Sequence, residues 1–272
     1  MSAAPANAVK LPHRWEWLIG WFRWYVRRFV RKNFHAVRLS KTSAPWPTGD
    51  TPLVVVMNHP SWWDPMLAVL LTDAFPDAQH YGAIDAEAVK KYRVFEKLGF
   101  FAVDQQSLRG AAQFLRTAEL ILSAPNRAVW LTVQGRFSDV RSRPLDLRSG
   151  VGHLAARLDS VVILPIALEY AFWNEKTPEA LVRVGTPIVL GDHPGLKAKE
   201  WTARIEAALT EALDGLNRET MARDPDLFTP LMTGKVGVGG LYDAGRRVAA
   251  TVRGQRFDPS HGDELSKGAA PQ

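Results

Sequence analysis

The run Leu53-Val54-Val55-Val56-Met57 constrains the fold of this chain more than any other segment. Five consecutive apolar residues, three of them β-branched, lie between Pro52 and the turn signal Asn58-His59-Pro60, which predicts a buried strand ending in a turn. The rest of the chain alternates around it. Further strands are expected at Gln79–Ile84, Phe100–Val103, Ala128–Val133, Val161–Leu168 and Leu181–Val184. Helices are expected at Asp64–Thr72, Ala86–Leu98, Ser107–Leu122, Gly150–Leu158 and Lys197–Leu216. Such alternation implies an α/β domain over residues 51–222, a mixed central sheet flanked by helices.

In sheets of this kind the strand ends host chemistry. His59 sits at one, and Asp64 follows five positions later across a tight turn, with Pro65 at the first position of the next helix. A histidine with a carboxylate folded back onto it is a general base with its orienting partner. The spacing alone is weak, because His80 and Asp85 repeat it. That second pair lies along an expected strand, where an odd step sends the two side chains to opposite faces, so His80 reads as structural.

The chain has 272 residues, enough for one large core with a terminal attachment. It has no cysteine, which excludes disulfides, thiolate metal sites and cysteine nucleophiles. His13, His35, His153, His193 and His261 show no metal-ligand spacing, so no metal is expected. No uninterrupted run of eighteen apolar residues occurs. The net charge of +6 is concentrated: residues 10–41 carry nine lysines and arginines against one acid, Glu16.

Within that basic segment, Trp15, Leu18, Ile19, Phe22, Val26, Phe29 and Val30 form a helical apolar stripe. Trp17, Trp21, Trp24, Arg27 and Arg28 flank it. Tryptophans that favour the headgroup boundary and arginines that attract anionic lipid suit a helix lying in a membrane surface, and residues 1–50 are read as that segment with its linker. Packing of the stripe on the protein's own core is the second reading. A nucleic-acid arm is the third, disfavoured because holding phosphates needs no wide apolar face; no nucleic-acid partner is expected. A signal peptide fits poorly, since arginines interrupt the apolar stretch. Residues 223–272 read as a flexible tail with a short helix at 242–252. Its Gly-rich stretch at 234–240 lacks the βαβ context of a dinucleotide loop.

Asn58-His59-Pro60-Ser61-Trp62-Trp63-Asp64-Pro65 resembles the first motif of the 1-acylglycerol-3-phosphate acyltransferase family, Asn-His-x-Ser-x-x-Asp. Leu98-Gly99-Phe100-Phe101-Ala102-Val103-Asp104 resembles the second. Gln134-Gly135-Arg136-Phe137-Ser138 with Leu147-Arg148-Ser149-Gly150 resembles the third, and Val161-Val162-Ile163-Leu164-Pro165-Ile166 the fourth. The resemblance implies a glycerol-phosphate-acyltransferase-like fold and a membrane-facing amino-terminal helix. It implies a peripheral or monotopic enzyme on the cytoplasmic face of a membrane, active in phospholipid synthesis. It also implies O-acyl transfer from acyl-CoA or acyl carrier protein, as co-substrate with no further cofactor, to a lysophospholipid or related lipid. His59 would take the hydroxyl proton and Asp64 would hold the imidazole. Asn58, Ser61, Gln134, Gly135, Arg136 and Arg148 would bind substrate, with Ser61 shaping the turn rather than attacking.

Three positions depart from the family's pattern. Gln105 replaces the arginine after Asp104, Gln134 replaces a glutamate, and Phe137 replaces an arginine. The family's charges there bind the acceptor's phosphate, so the change implies that Arg136, Arg141, Arg143 and Arg148 compensate or that the acceptor is atypical. A non-catalytic lipid-binding scaffold of the same fold is the alternative.

Overall fold

Every residue of the Leu53–Met57 run is buried, and its alternation sets up two layers. Leu53, Val55 and Met57 enter one core; Val54 and Val56 enter another on the opposite face of the sheet. In the computed structural model, which describes residues 11–234, the elements follow in order. They are α1 (Glu16–Asn33), β1 (Ala36–Ser40), β2 (Leu53–Met57), α2 (Asp64–Leu71), β3 (Gln79–Asp85), α3 (Ala86–Lys91), α4 (Val94–Lys97) and β4 (Phe100–Val103). Then come α5 (Leu108–Leu122), β5 (Arg127–Thr132), α6 (Gly150–Ala155), β6 (Val162–Ala171), β7 (Glu179–Val184), β8 (Ile188–Val189), α7 (Ala198–Ala222) and β9 (Phe228–Thr233).

The described strands form one mixed sheet of order β4-β3-β5-β2-β6-β7-β1-β9, with β8 paired to β6. From β4 to β6 all pairings are parallel, so the carboxyl ends of β2, β3, β4 and β5 open on the same edge. One core packs Phe114, Ile121, Leu154, Ile205 and Leu209 of α5, α6 and α7 against the sheet. The other packs Val26 and Val30 of α1 and Leu67 and Leu71 of α2 against its opposite face.

Five of the six expected strands are recovered within two residues at each end, and the sixth, β6, runs three residues further. The expected helix at 86–98 divides into α3 and α4 at Tyr92, whose backbone leaves the helical region. A straight helix of that length would span about 20 Å. The break instead lets Gly99, at φ +91°, turn the chain into β4, where Phe100 pairs with Gly82 of β3. The helix expected at 150–158 ends at Ala155, and the one expected at 197–216 continues to Ala222, where Arg223 caps it in the left-handed region.

Besides the two-residue β8, two strands at one end of the sheet escaped the sequence pattern. β1, inside the segment assigned to residues 1–50, pairs parallel to β7, and β9, inside the expected tail, pairs antiparallel to β1. β9 carries Pro230, which removes an N–H and is tolerated on an outer strand. The helix expected at 242–252 lies outside the described residues.

His80 does not meet Asp85. Its Nε2–H donates to the Phe75 carbonyl at 3.0 Å, while Trp130 Nε1–H donates to Nδ1 at 3.1 Å, so both ring nitrogens are used by a neutral imidazole. Asp85 caps α3 through the Glu87 N–H. Burial, reinforced by the charges of Arg14 and Arg23, lowers the His80 pKa from 6.5 to about 4. Below pH 6.5 the unfolded chain therefore takes a proton that the folded chain refuses until about pH 4. Stability contributed by neutral His80 is lost as pH falls through that window. Urea titrations at pH 7 and pH 4 should show a fall that His80→Asn reduces by up to about 3 kcal/mol. An identical fall in both proteins would remove His80 from this role.

Candidate active site

The end of β2 is clamped before it reaches His59. Ladder pairing with β6 stops at Met57, and the buried Asn58 carboxamide supplies the next rung. Its Nδ2 donates to the Leu168 carbonyl and its Oδ1 accepts from the Leu168 N–H, both at 2.8 Å. The His59 backbone is held from the other side. Gln134 Oε1 accepts from the His59 N–H at 2.9 Å, and the Ser138 N–H donates to the His59 carbonyl at 2.9 Å. Gln134 Nε2 donates to the Leu145 carbonyl at 3.0 Å. Asn58 and Gln134, expected as substrate contacts, are both buried with their polar ends engaged internally. An ionised glutamate at 134 would have no proton for Leu145, which accounts physically for the amide found there.

After His59 the chain turns through Ser61 into α2, placing Asp64 in the helix's first turn with Pro65 behind it. Asp64 is fully buried and each carboxylate oxygen is occupied. Oδ2 accepts from His59 Nδ1 at 2.5 Å and from the Ser61 N–H at 3.1 Å, and Oδ1 accepts from the Tyr170 hydroxyl at 2.7 Å. With Nδ1–H assigned to the carboxylate by this network, His59 Nε2 is the unprotonated nitrogen. Ser61 Oγ accepts from the Trp63 N–H at 3.3 Å, in keeping with a turn-forming role.

Tyr170, on β6, was not legible as a site residue; it lies far along the chain and two residues beyond the expected strand end at Leu168. Burial and the neighbouring Asp64 charge raise its pKa well above that of an ordinary tyrosine, so it stays a donor. Phe34 packs on both Tyr170 and Trp63, with ring centroids 5.7 and 4.8 Å apart. Trp62 and Trp63 divide their tasks: Trp63 packs between Phe29 and Phe34, and Trp62 is exposed.

His59 opens onto a cavity of about 630 Å³ at the carboxyl ends of β3, β4 and β5. Apolar side chains such as Val103, Phe114 and Trp130 line its depth, while Arg136, Phe137 and Arg148 border it. Gly135, at φ +63°, takes a backbone conformation that strains a side chain, and a Cβ there would displace Gln105 Oε1, 2.7 Å away, and press on Arg148 Cγ at 3.1 Å. The Phe137 ring lies 4.5 Å from the His59 imidazole. Arg136 pairs with Asp146 at 2.6 Å.

On α1 the apolar stripe turns inward through Phe22, Val26 and Val30, and Arg23 and Arg27 both pair with Asp73 at the end of α2. The opposite face exposes Trp17, Trp21 and Trp24 at 69%, 54% and 59%, together with Arg28 and Arg31. Trp15 is exposed near the helix start and stacks on Trp17. No described helix is long and apolar enough to cross a membrane.

A histidine held by a buried carboxylate, at strand ends beside a largely apolar cavity, is an arrangement able to accept a proton from a bound hydroxyl. The family model described as Acyltransferase matches residues 31–169, from the end of α1 to β6, and the chain belongs to the acyltransferase family. No curated protein matches the chain.

Tyr170→Phe should leave Asp64 Oδ1 buried without a donor and cost about 1.5–3 kcal/mol of stability, read by urea unfolding at pH 7. Unchanged stability would show that the Tyr170 hydroxyl does not hold Asp64.

Proposed function

We propose that this protein is a membrane-associated O-acyltransferase of the 1-acylglycerol-3-phosphate acyltransferase type. It moves a fatty acyl group from acyl-CoA or acyl carrier protein to the hydroxyl of a lysophospholipid or related lipid. The observation that carries the reading is the His59–Asp64 pair, with Asp64 saturated by donors and His59 Nε2 free beside the cavity. The acceptor hydroxyl gives its proton to Nε2 while its oxygen attacks the thioester carbonyl. The new ester C–O bond forms, the C–S bond breaks, and the thiolate leaves and recovers the proton from the imidazolium. Asp64 stabilises that imidazolium and fixes the tautomer that precedes it. The thioester is already activated, so no covalent enzyme intermediate is required.

Gln134, one of the departures from the family's pattern, holds the His59 backbone in place and is compatible with catalysis. The acyl chain suits the apolar depth of the cavity. A membrane role is supported by the outward face of α1, where three exposed tryptophans are followed by Arg28 and Arg31.

His59→Ala should lower His59-dependent thioester consumption by about 10²–10⁴-fold with its unfolding midpoint essentially retained. Full turnover by that variant would end the reading. Trp17, Trp21 and Trp24 replaced together by alanine should greatly reduce co-sedimentation with anionic vesicles, and high salt should weaken wild-type binding. Equal sedimentation of both proteins would place the membrane contact elsewhere.

A further inference from the structure

Besides His59, four ionisable side chains line the catalytic cavity, and their charges cancel: Arg136 and Arg148 against Asp85 and Asp104. Asp104 is held in its ionised form by the Ser107 hydroxyl and the Gln106 N–H, which lower its pKa. Arg136 already has Asp146 as a partner. The two remaining arginines of this loop do not line the cavity. Arg141 is chelated by Asp139 at 2.8 and 2.7 Å, and Arg143 is held by Asp214 and by the carbonyls of Val140 and Ser142.

A phosphomonoester carries a charge of about −1.5 to −2 near neutral pH. Tight recognition of it calls for surplus positive charge and a guanidinium fork free of carboxylates. This cavity offers no surplus, and its one guanidinium without a carboxylate partner among the described residues, Arg148, stands against Asp85 and Asp104 in the same lining. An exposed pair such as Arg136–Asp146 is weak enough to exchange, but Asp146 would then face the incoming anion. At the position closest to the chemistry stands Phe137, 62% exposed, its ring tilted 44° to the His59 imidazole at 4.5 Å. A ring there favours a carbon-rich neighbour and penalises an unpaired charge that it would help desolvate.

We propose that the acceptor is an uncharged hydroxyl-bearing amphiphile, and that Phe137 is the residue that selects it over a phosphomonoester. The inference rests on the acyl-transfer reading and sharpens its substrate. The acceptor's carbon framework lies on the Phe137 ring and delivers its hydroxyl to His59. Arg148, which has no carboxylate partner among the described residues, meets a neutral oxygen of the same molecule.

The test uses the full chain with a long-chain acyl-CoA in neutral mixed micelles. Monoacylglycerol and a monoglycosyl lipid serve as uncharged acceptors, and lysophosphatidate serves as the phosphomonoester. At least one uncharged acceptor should exceed lysophosphatidate in kcat/KM by about tenfold or more. Phe137→Arg should move that ratio toward lysophosphatidate by about tenfold, while Phe137→Leu keeps the wild-type order. His59-dependent turnover that favours lysophosphatidate, or a ratio that Phe137→Arg leaves unchanged, would overturn this inference and leave acyl transfer standing. No His59-dependent turnover with any of the three would overturn both.

Discussion

The bond between Asp64 and His59 is the constraint around which the rest of the site is arranged. A carboxylate removed from water is costly unless both its oxygens find donors. Here the His59 ring, the Ser61 backbone and the Tyr170 hydroxyl supply them, and those three groups come from the end of β2, the turn after it and β6. The central strands must therefore keep their parallel register for the carboxylate to be tolerated at all. Asn58 enforces that register by extending the β2–β6 ladder with its own amide, and Gln134 ties the next residue to the loop after β5. His59 is thus held by backbone and side chain alike, which lets its free nitrogen act without first being ordered.

The sequence showed the central sheet plainly because its strands are dense in β-branched and apolar residues. The Leu53–Met57 run buries both faces, and the resulting absence of a polar stripe marks a sheet covered by helices on each side. The outer elements were harder to see for the opposite reason. Ala36–Ser40 carries Arg38 within a basic stretch, and Phe228–Thr233 carries Pro230 beside polar residues, so both resemble linker until a neighbour pairs with them. Pairing partners far apart in the chain are not a local property.

The site divides in the same way. His59, Asp64 and the turn-forming Ser61 could be placed because one short segment holds all three. Tyr170 could not, since only the fold brings β6 to Asp64. Asn58 and Gln134 were legible as residues near His59 but not as clamps: an amide beside a strand end reads equally well as a substrate contact, and only the fold shows the buried backbone groups they hold. Helix α1 resolves a similar ambiguity. Its apolar stripe is spent on the protein's own core, while the tryptophans first seen as flanking that stripe form the exposed face. Self-packing and the proposed membrane contact therefore do not compete, because they would use opposite sides of one helix.

The most direct test of the central claim is the tautomer of His59, read by 15N–1H spectroscopy of protein labelled at histidine and assigned by comparison with His59→Gln. Asp64 as described requires a proton on Nδ1, with a strongly deshielded resonance, and an unprotonated Nε2 above the titration of the ring. A neutral His59 protonated at Nε2 would contradict it, because the nitrogen beside the cavity would then have no lone pair with which to take a proton.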